Sequence, residues 1–188
     1  MSANGPPGLW RIVFPTDPDT SEEELISDRA VQARLQNFFR LSTPYDIVHR
    51  NLYVTHQRVA STFRLGRVLL AGDAAHVNNP IGGMGLNGGI QDAANLSEKL
   101  AAILLDGAPD RQLDLYDRQR RTVAVEFVQQ QTIENKKRLE ERDPEIRAKN
   151  LAELRDIAAD PVRAGQFLLR TSMITSQRRA AAISLEEA

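Results

Sequence analysis

Five of the chain's eleven glycines lie in the eight residues Gly82–Gly89, inside the stretch Gly66–Lys99 that reads GRVLLAGDAAHVNNPIGGMGLNGGIQDAANLSEK. Such density marks backbone that approaches something closely, or that takes φ values other residues avoid. Ahead of it, Arg67–Ala71 is an apolar run with the length of one buried strand. Gly72-Asp73-Ala74-Ala75-His76 follows where that strand ends. Beyond Pro80 the glycines run into a helical pattern: Ile90, Ala93, Ala94, Ser97, Leu100, Ala101 and Leu104 form a broad apolar face, closed by Asp106-Gly107-Ala108-Pro109.

Gly83-x-Gly85-x-x-Gly88 matches the dinucleotide fingerprint letter for letter, but its context does not. The fingerprint needs a strand directly before it and an acidic residue ending a second strand about 20 residues on. Here ten residues separate Gly72 from Gly83, and helix-like sequence precedes Asp106. Two readings stay open. A helix N-terminus with unpaired N–H groups and a positive dipole end faces an anion or a polar ring edge. Alternatively, the glycines serve tight helix–strand packing only. Asp73 stands at a strand end, the usual ligand position of an open α/β sheet. Its carboxylate either accepts hydrogen bonds from ligand hydroxyls or caps its own loop.

Every segment with strand character lies before Asp73. Leu9–Phe14 alternates and is stopped by Pro15, and Tyr45–Phe63 is rich in β-branched and aromatic residues, as in one or two strands, with one long bent strand the preferred reading. Arg64-Leu65-Gly66 reads as a turn into the Val68 strand. Between these, Thr20-Ser21-Glu22-Glu23-Glu24 starts a helix with Leu25, Ala30, Val31, Leu35, Phe38 and Phe39 as a rough stripe. The remainder is helical. Leu113, Tyr116, Arg120, Val123 and Phe127 predict a long helix from about Arg111 toward Glu141. Asp143-Pro144 and Asp160-Pro161 each predict a capped start, and another helix follows from Ile174.

A net charge of −1 argues against broad nucleic-acid affinity. The absence of cysteine excludes disulfides and thiolate catalysis, and fits a reducing cytoplasm. No apolar run approaches the roughly 18 residues of a membrane span. His49, His56 and His76 have no metal-ligand spacing, so each is expected to be a hydrogen-bonded structural histidine and no metal site is expected. No nucleophile elbow, P-loop or hydrolytic carboxylate pair is present.

Arg67–His76, then Pro80, Gly85-Leu86-Asn87 and Asp92–Leu96, closely resembles the second FAD-binding segment of single-component flavoprotein monooxygenases, the para-hydroxybenzoate hydroxylase-like aromatic hydroxylases. The resemblance is strong over about Tyr45–Tyr116. Leu9–Phe14 resembles a strand of the family's substrate-domain sheet, and the helical remainder is similar to its C-terminal region in character. The resemblance implies roles by position. Asp73, beside Gly72, would bind the ribityl chain or the pyrophosphate side of FAD. Pro80 would lie beside the isoalloxazine ring, with no residue assigned as catalytic. Gly85, Leu86 and Asn87 would present backbone N–H groups to the ring's N1/C2=O edge. NAD(P)H would reduce the flavin, and O2 would supply the atom that hydroxylates an aromatic or similarly electron-rich small molecule.

The family's opening strand–GxGxxG–helix and its middle Asp-Gly motif have no counterpart here. The expectation is therefore a C-terminal portion of such an enzyme, an α+β fragment. Part of the substrate-domain sheet with one helix occupies 1–65, the second FAD-binding segment 66–105, and a helix-rich region 106–188. Such a chain would leave apolar surface exposed, hold FAD weakly or not at all, and be inactive alone, its partner being the N-terminal half or a second copy. A related FAD-dependent reductase or halogenase, or a non-catalytic truncated module, are the alternatives.

Overall fold

The computed structural model describes residues 8–81, 83–141 and 143–185, so Gly82 of the glycine cluster lies outside the described residues. The chain divides into two units, Met1–Val54 and Thr55–Ala188. In the first, Leu9–Phe14 carries a single bridge residue at Arg11 and is not the expected strand. The expected helix is two: α1 (Glu22–Leu25), capped by Ser21, and α2 (Asp28–Phe38), capped by Ser27. Ser27 explains the break. Its hydroxyl donates to the Glu24 carbonyl at 2.7 Å and accepts from the Ala30 N–H at 3.2 Å, so local side-chain bonds replace the continuing ladder. Leu25 and Leu35 are buried, while Phe38 and Phe39 are exposed.

Of the long strand expected over Tyr45–Phe63, only the two residues Arg58–Val59 are strand. The Gln32 amide brackets the Tyr45 backbone, donating to its carbonyl at 2.7 Å and accepting from its N–H at 3.0 Å. Arg50 donates to the Ile26 carbonyl at 2.9 Å and pairs with Asp28. Side chains thus hold this segment, without the partner strand that a ladder needs.

In the second unit the strands are short: β1 (Arg58–Val59), β2 (Arg64–Leu65), β3 (Val68–Leu69) and β4 (His76–Val77), with a 3-10 turn at Gly72–Ala74 between the last two. β1 pairs antiparallel with β4, and β2 with β3. β4 is a strand after Asp73, where none was expected. Nor is the Val68 strand buried: it is the second arm of a hairpin, and Val68 is 63% exposed. The hairpin loop is Gly66-Arg67, with Gly66 at φ +60, the type II′ position that favours glycine. Gly66→Val is expected to cost about 1–2 kcal/mol, read as a lower urea midpoint with an unchanged slope.

Helices complete the unit: α3 (Gly85–Asp106), α4 (Gln112–Val123), a π turn (Ala124–Gln129), α5 (Gln130–Glu140), α6 (Pro144–Ala159), α7 (Pro161–Thr171) and α8 (Ile174–Ala182). α3 ends as expected at Gly107, which is left-handed at φ +70, and the Ala108 N–H reaches back to the Ala102 carbonyl at 2.9 Å. Asp143 and Asp160 cap α6 and α7, each with proline in the first turn. The α+β expectation holds.

Two apolar clusters organise this unit. Phe63, Ala75, Tyr116 and Ala124 pack with Val59, Leu69, Leu70 and Leu96. Met84, Val123, Val128, Met173 and Ala180 form the other. Met84 directly precedes Gly85, so the core of the C-terminal helices holds the amino end of α3.

Candidate functional site

The glycines of the central stretch divide into two kinds. Gly72 lies at φ +59, and a Cβ there would meet the Gly89 Cα at 3.7 Å. A Cβ on Gly88 would stand 3.2 Å from His76 Cε1. Gly88 and Gly89 therefore let α3 press onto the 3-10 turn. Gly83, at φ +66, and Gly85 face open space, with nothing within 4 Å of their missing side chains. The packing reading is realised at Gly88 and Gly89. The dinucleotide reading is not: β4 ends at Val77, and Asp106 closes α3 itself.

Below the turn lies a buried polar latch. Asp92, with no exposed surface, accepts from the Gly72 N–H at 2.9 Å, from His76 Nε2 at 2.8 Å and from Arg120 Nε at 2.6 Å. Burial pushes its carboxyl up, but the His76 hydrogen bond, the Arg120 charge and hydrogen bond, and the Gly72 amide outweigh that and hold it below the ordinary value. Arg120, itself 1% exposed, also lies 3.4 Å from the Gly88 carbonyl and from Gln91 Oε1. The other imidazole nitrogen of His76 lies 3.3 Å from the Asn78 amide nitrogen. One carboxylate thus ties the turn, β4, the first turns of α3, and α4 together.

The exposed and buried faces of α4 supply the other fasteners. Asp117 accepts from the Phe63 N–H and the Thr62 hydroxyl, both at 2.8 Å. Arg64 reaches Asp114 at 2.9 Å and pairs with Asp110 just before the helix. The Tyr116 hydroxyl donates to the Leu70 carbonyl at 2.6 Å, and burial together with the nearby Asp92 charge pushes it well above the ordinary phenol range. Deeper along the helices, Lys99 donates to Asn95 Oδ1 at 2.8 Å and Gln119 Oε1 at 2.9 Å, and burial lowers its pKa.

The residues singled out from sequence surround this frame. Asp73 is exposed within the turn, and among the described residues nothing donates to its carboxylate, so it does not cap its own loop. Pro80 is exposed, and its carbonyl accepts from the Gly83 N–H at 3.1 Å. Leu86 and Asn87 are exposed, Leu86 by 77%. No side chain caps α3, its first turn holds no acidic residue, and the first amide to pair is that of Gly88, with the Met84 carbonyl at 2.9 Å. The N–H groups of Gly85, Leu86 and Asn87 therefore have no partner among the described residues and stand at a positive dipole end. His76 is a hydrogen-bonded structural histidine as expected, whereas His49 and His56 are exposed and take part in no described hydrogen bond. Among the described residues no group can hold a metal ion, and no helix is long and apolar enough to cross a membrane.

Sequence reasoning gave Asp92 and Arg120 no role. A carboxylate amid the apolar positions of a helix was the available signal for Asp92; nothing local marked Arg120 as its partner.

The chain is 38% identical over 178 residues to para-nitrophenol 4-monooxygenase from Pseudomonas sp. (strain WBC-3), covering 91% of this chain and 43% of that protein. It is 36% identical over 140 residues to 6-hydroxy-3-succinoylpyridine 3-monooxygenase HspB from Pseudomonas putida (strain DSM 28022 / S16), covering 72% and 34%. The crystal structure of p-nitrophenol 4-monooxygenase PnpA from Pseudomonas putida DLL-E4 superimposes with a TM-score of 0.70 at 38% identity, over 82% of this chain and 39% of that one. The chain thus spans less than half the length of these relatives. The family described as FAD binding domain matches residues 2–132, and the chain belongs to that family.

Proposed function

We propose that this chain supplies the flavin-ring side of the FAD site in a monooxygenase that uses NAD(P)H and O2 to hydroxylate an aromatic or similarly electron-rich small molecule. The observation that carries this reading is the uncapped, acid-free amino end of α3, opened by Gly83 and Gly85, beside an Asp73 whose carboxylate has no partner among the described residues. These residues fit the cofactor. The N–H groups of Gly85, Leu86 and Asn87 would face the polar ring edge, where a helix N-terminus stabilises negative charge. Asp73, held out by the Gly72 turn, would accept hydrogen bonds from the ribityl or pyrophosphate side. Pro80 would border the ring. FAD, when bound, supplies the redox chemistry, and the protein orients it and excludes water. Residues 1–65 would contribute to the substrate side, 66–105 the flavin segment, and 106–188 its helical support.

FAD titration of the chain tests the reading. The chain is expected to bind FAD weakly, because its relatives are more than twice its length. Asp73→Ala is expected to weaken binding by about 10- to 100-fold, the worth of a charged hydrogen bond. Its stability should stay within about 0.5 kcal/mol of wild type, because the carboxylate is exposed and unpartnered. Equal FAD affinity in the two proteins would remove Asp73 from the site. For the reaction, NADPH consumption without hydroxylated product across a panel of phenols, in a protein containing this segment, would count against hydroxylation.

A further inference from the structure

We infer that Asp92 is a positioning residue for the flavin, acting through the Gly72 peptide and seconded by Arg120. The inference rests on the flavin reading above. Asp92 Oδ2 receives the Gly72 N–H and His76 Nε2, and Oδ1 receives Arg120 Nε. Gly72 directly precedes Asp73, so the carboxylate fixes the Ala71–Gly72 peptide, one Cα ahead of the peptide that carries Asp73. Arg120 also lies within reach of the Gly88 carbonyl, whose amide closes the first backbone bond of α3. The two halves of the proposed site, the turn and the helix end, are therefore referenced to one buried anion.

An apolar side chain of similar size would fill the same space without desolvating a charge, and buried ion pairs are commonly replaceable in that way. It would not orient the Gly72 peptide. Gly88 and Gly89 are the complementary feature: lacking side chains, they let α3 come close enough to the turn for Asp92 to reach the amide. Asp92 touches neither Asp73 nor the open face of Gly83 and Gly85. Its effect on the flavin is transmitted by backbone geometry alone.

The test compares the full chain carrying Asp92→Asn, Arg120→Lys or Leu113→Ala. Leu113 is buried near the start of α4, away from the latch, and serves as the destabilised control. Two quantities are read under conditions where all four proteins are folded: hydrogen exchange at the Gly72 amide and FAD affinity. The inference expects Asp92→Asn to speed Gly72 exchange at least about tenfold and to weaken FAD at least about tenfold, with Arg120→Lys intermediate. Leu113→Ala should change both only by its loss of global stability. Unchanged Gly72 exchange in Asp92→Asn overturns the inference. So does an FAD affinity in Asp92→Asn no lower than in Leu113→Ala, even if the amide is freed, because Asp92 then serves the fold alone. Where the wild-type chain alone takes up no FAD at millimolar concentration, affinity is read in a longer protein containing this segment, and such a protein that takes up no FAD overturns the flavin reading, whatever the amide does.

Discussion

Arg120→Met is expected to cost about 3–5 kcal/mol of stability, because it leaves the Asp92 carboxylate buried without its countercharge. Asp92 and Arg120 have 0% and 1% of their surface exposed, so solvent cannot take over either partner's role. Methionine fills much of the volume and isolates the electrostatic part of the loss. Adding Asp92→Leu to Arg120→Met should recover a large fraction of it, since neither charge is then stranded, and the two changes should be strongly non-additive. Additive losses in urea unfolding would contradict the coupling. Acid supplies a second check. The native environment holds Asp92 below its ordinary 3.8, so its contribution is fully present above that value and is lost as pH falls through the lower native pKa. The wild-type advantage over Arg120→Met should therefore shrink below about pH 4, as a protonated Asp92 no longer needs a cation.

Phe63→Ala is the second large effect, at about 3–5 kcal/mol. Phe63 is fully buried and stacks on the His76 ring at 6.0 Å, with the planes 23° apart. Its N–H is held by Asp117, and its carbonyl accepts from the Leu70 N–H at 2.9 Å. The surrounding backbone is therefore pinned and cannot collapse into the space the ring leaves, the condition under which a cavity costs most. Phe63→Leu should retain much of the stability, and Phe38→Ala, exposed on α2, should change it by less than about 0.5 kcal/mol. Similar urea midpoints for Phe63→Ala and Phe38→Ala would refute this account of the core.

The helical half was readable because its signals are local. Asp143-Pro144, Asp160-Pro161 and Gly107 act within one turn of themselves, and each does in the structure what its residue type predicts. The strands were readable only in part, because a strand depends on its partner: β1 and β3 fall inside Tyr45–Phe63 and Arg67–Ala71, and neither fills its segment. Tyr45–Phe63 has the right residues for a strand, yet Gln32 takes the backbone groups of Tyr45 that a neighbouring strand would have used. The long helix shows a subtler failure. Three-four spacing after Val123 points to Phe127, but the structure buries Val128. The π turn at Ala124–Gln129 explains the difference, since its wider winding brings the fifth residue onward under the same face. At the site, the residues proposed to meet the cofactor lie in the glycine cluster and at the strand end, both visible in the sequence. The latch beneath was not, because Asp92 and Arg120 come together only when α3 and α4 pack.

Met84 gives the order of synthesis a bearing on the site. Its neighbours in the core include Met173 and Ala180, which leave the ribosome long after the glycine cluster does. Translation runs from the N-terminus, so the loop before α3 emerges before its covering residues exist. Through that interval Met84 has Val123 and Val128 at most, of its core partners, to pack on. Completion of the proposed flavin site therefore waits for the last helix, and a ribosome pausing within the codons for α6 or α7 would hold the nascent chain with Met84 uncovered.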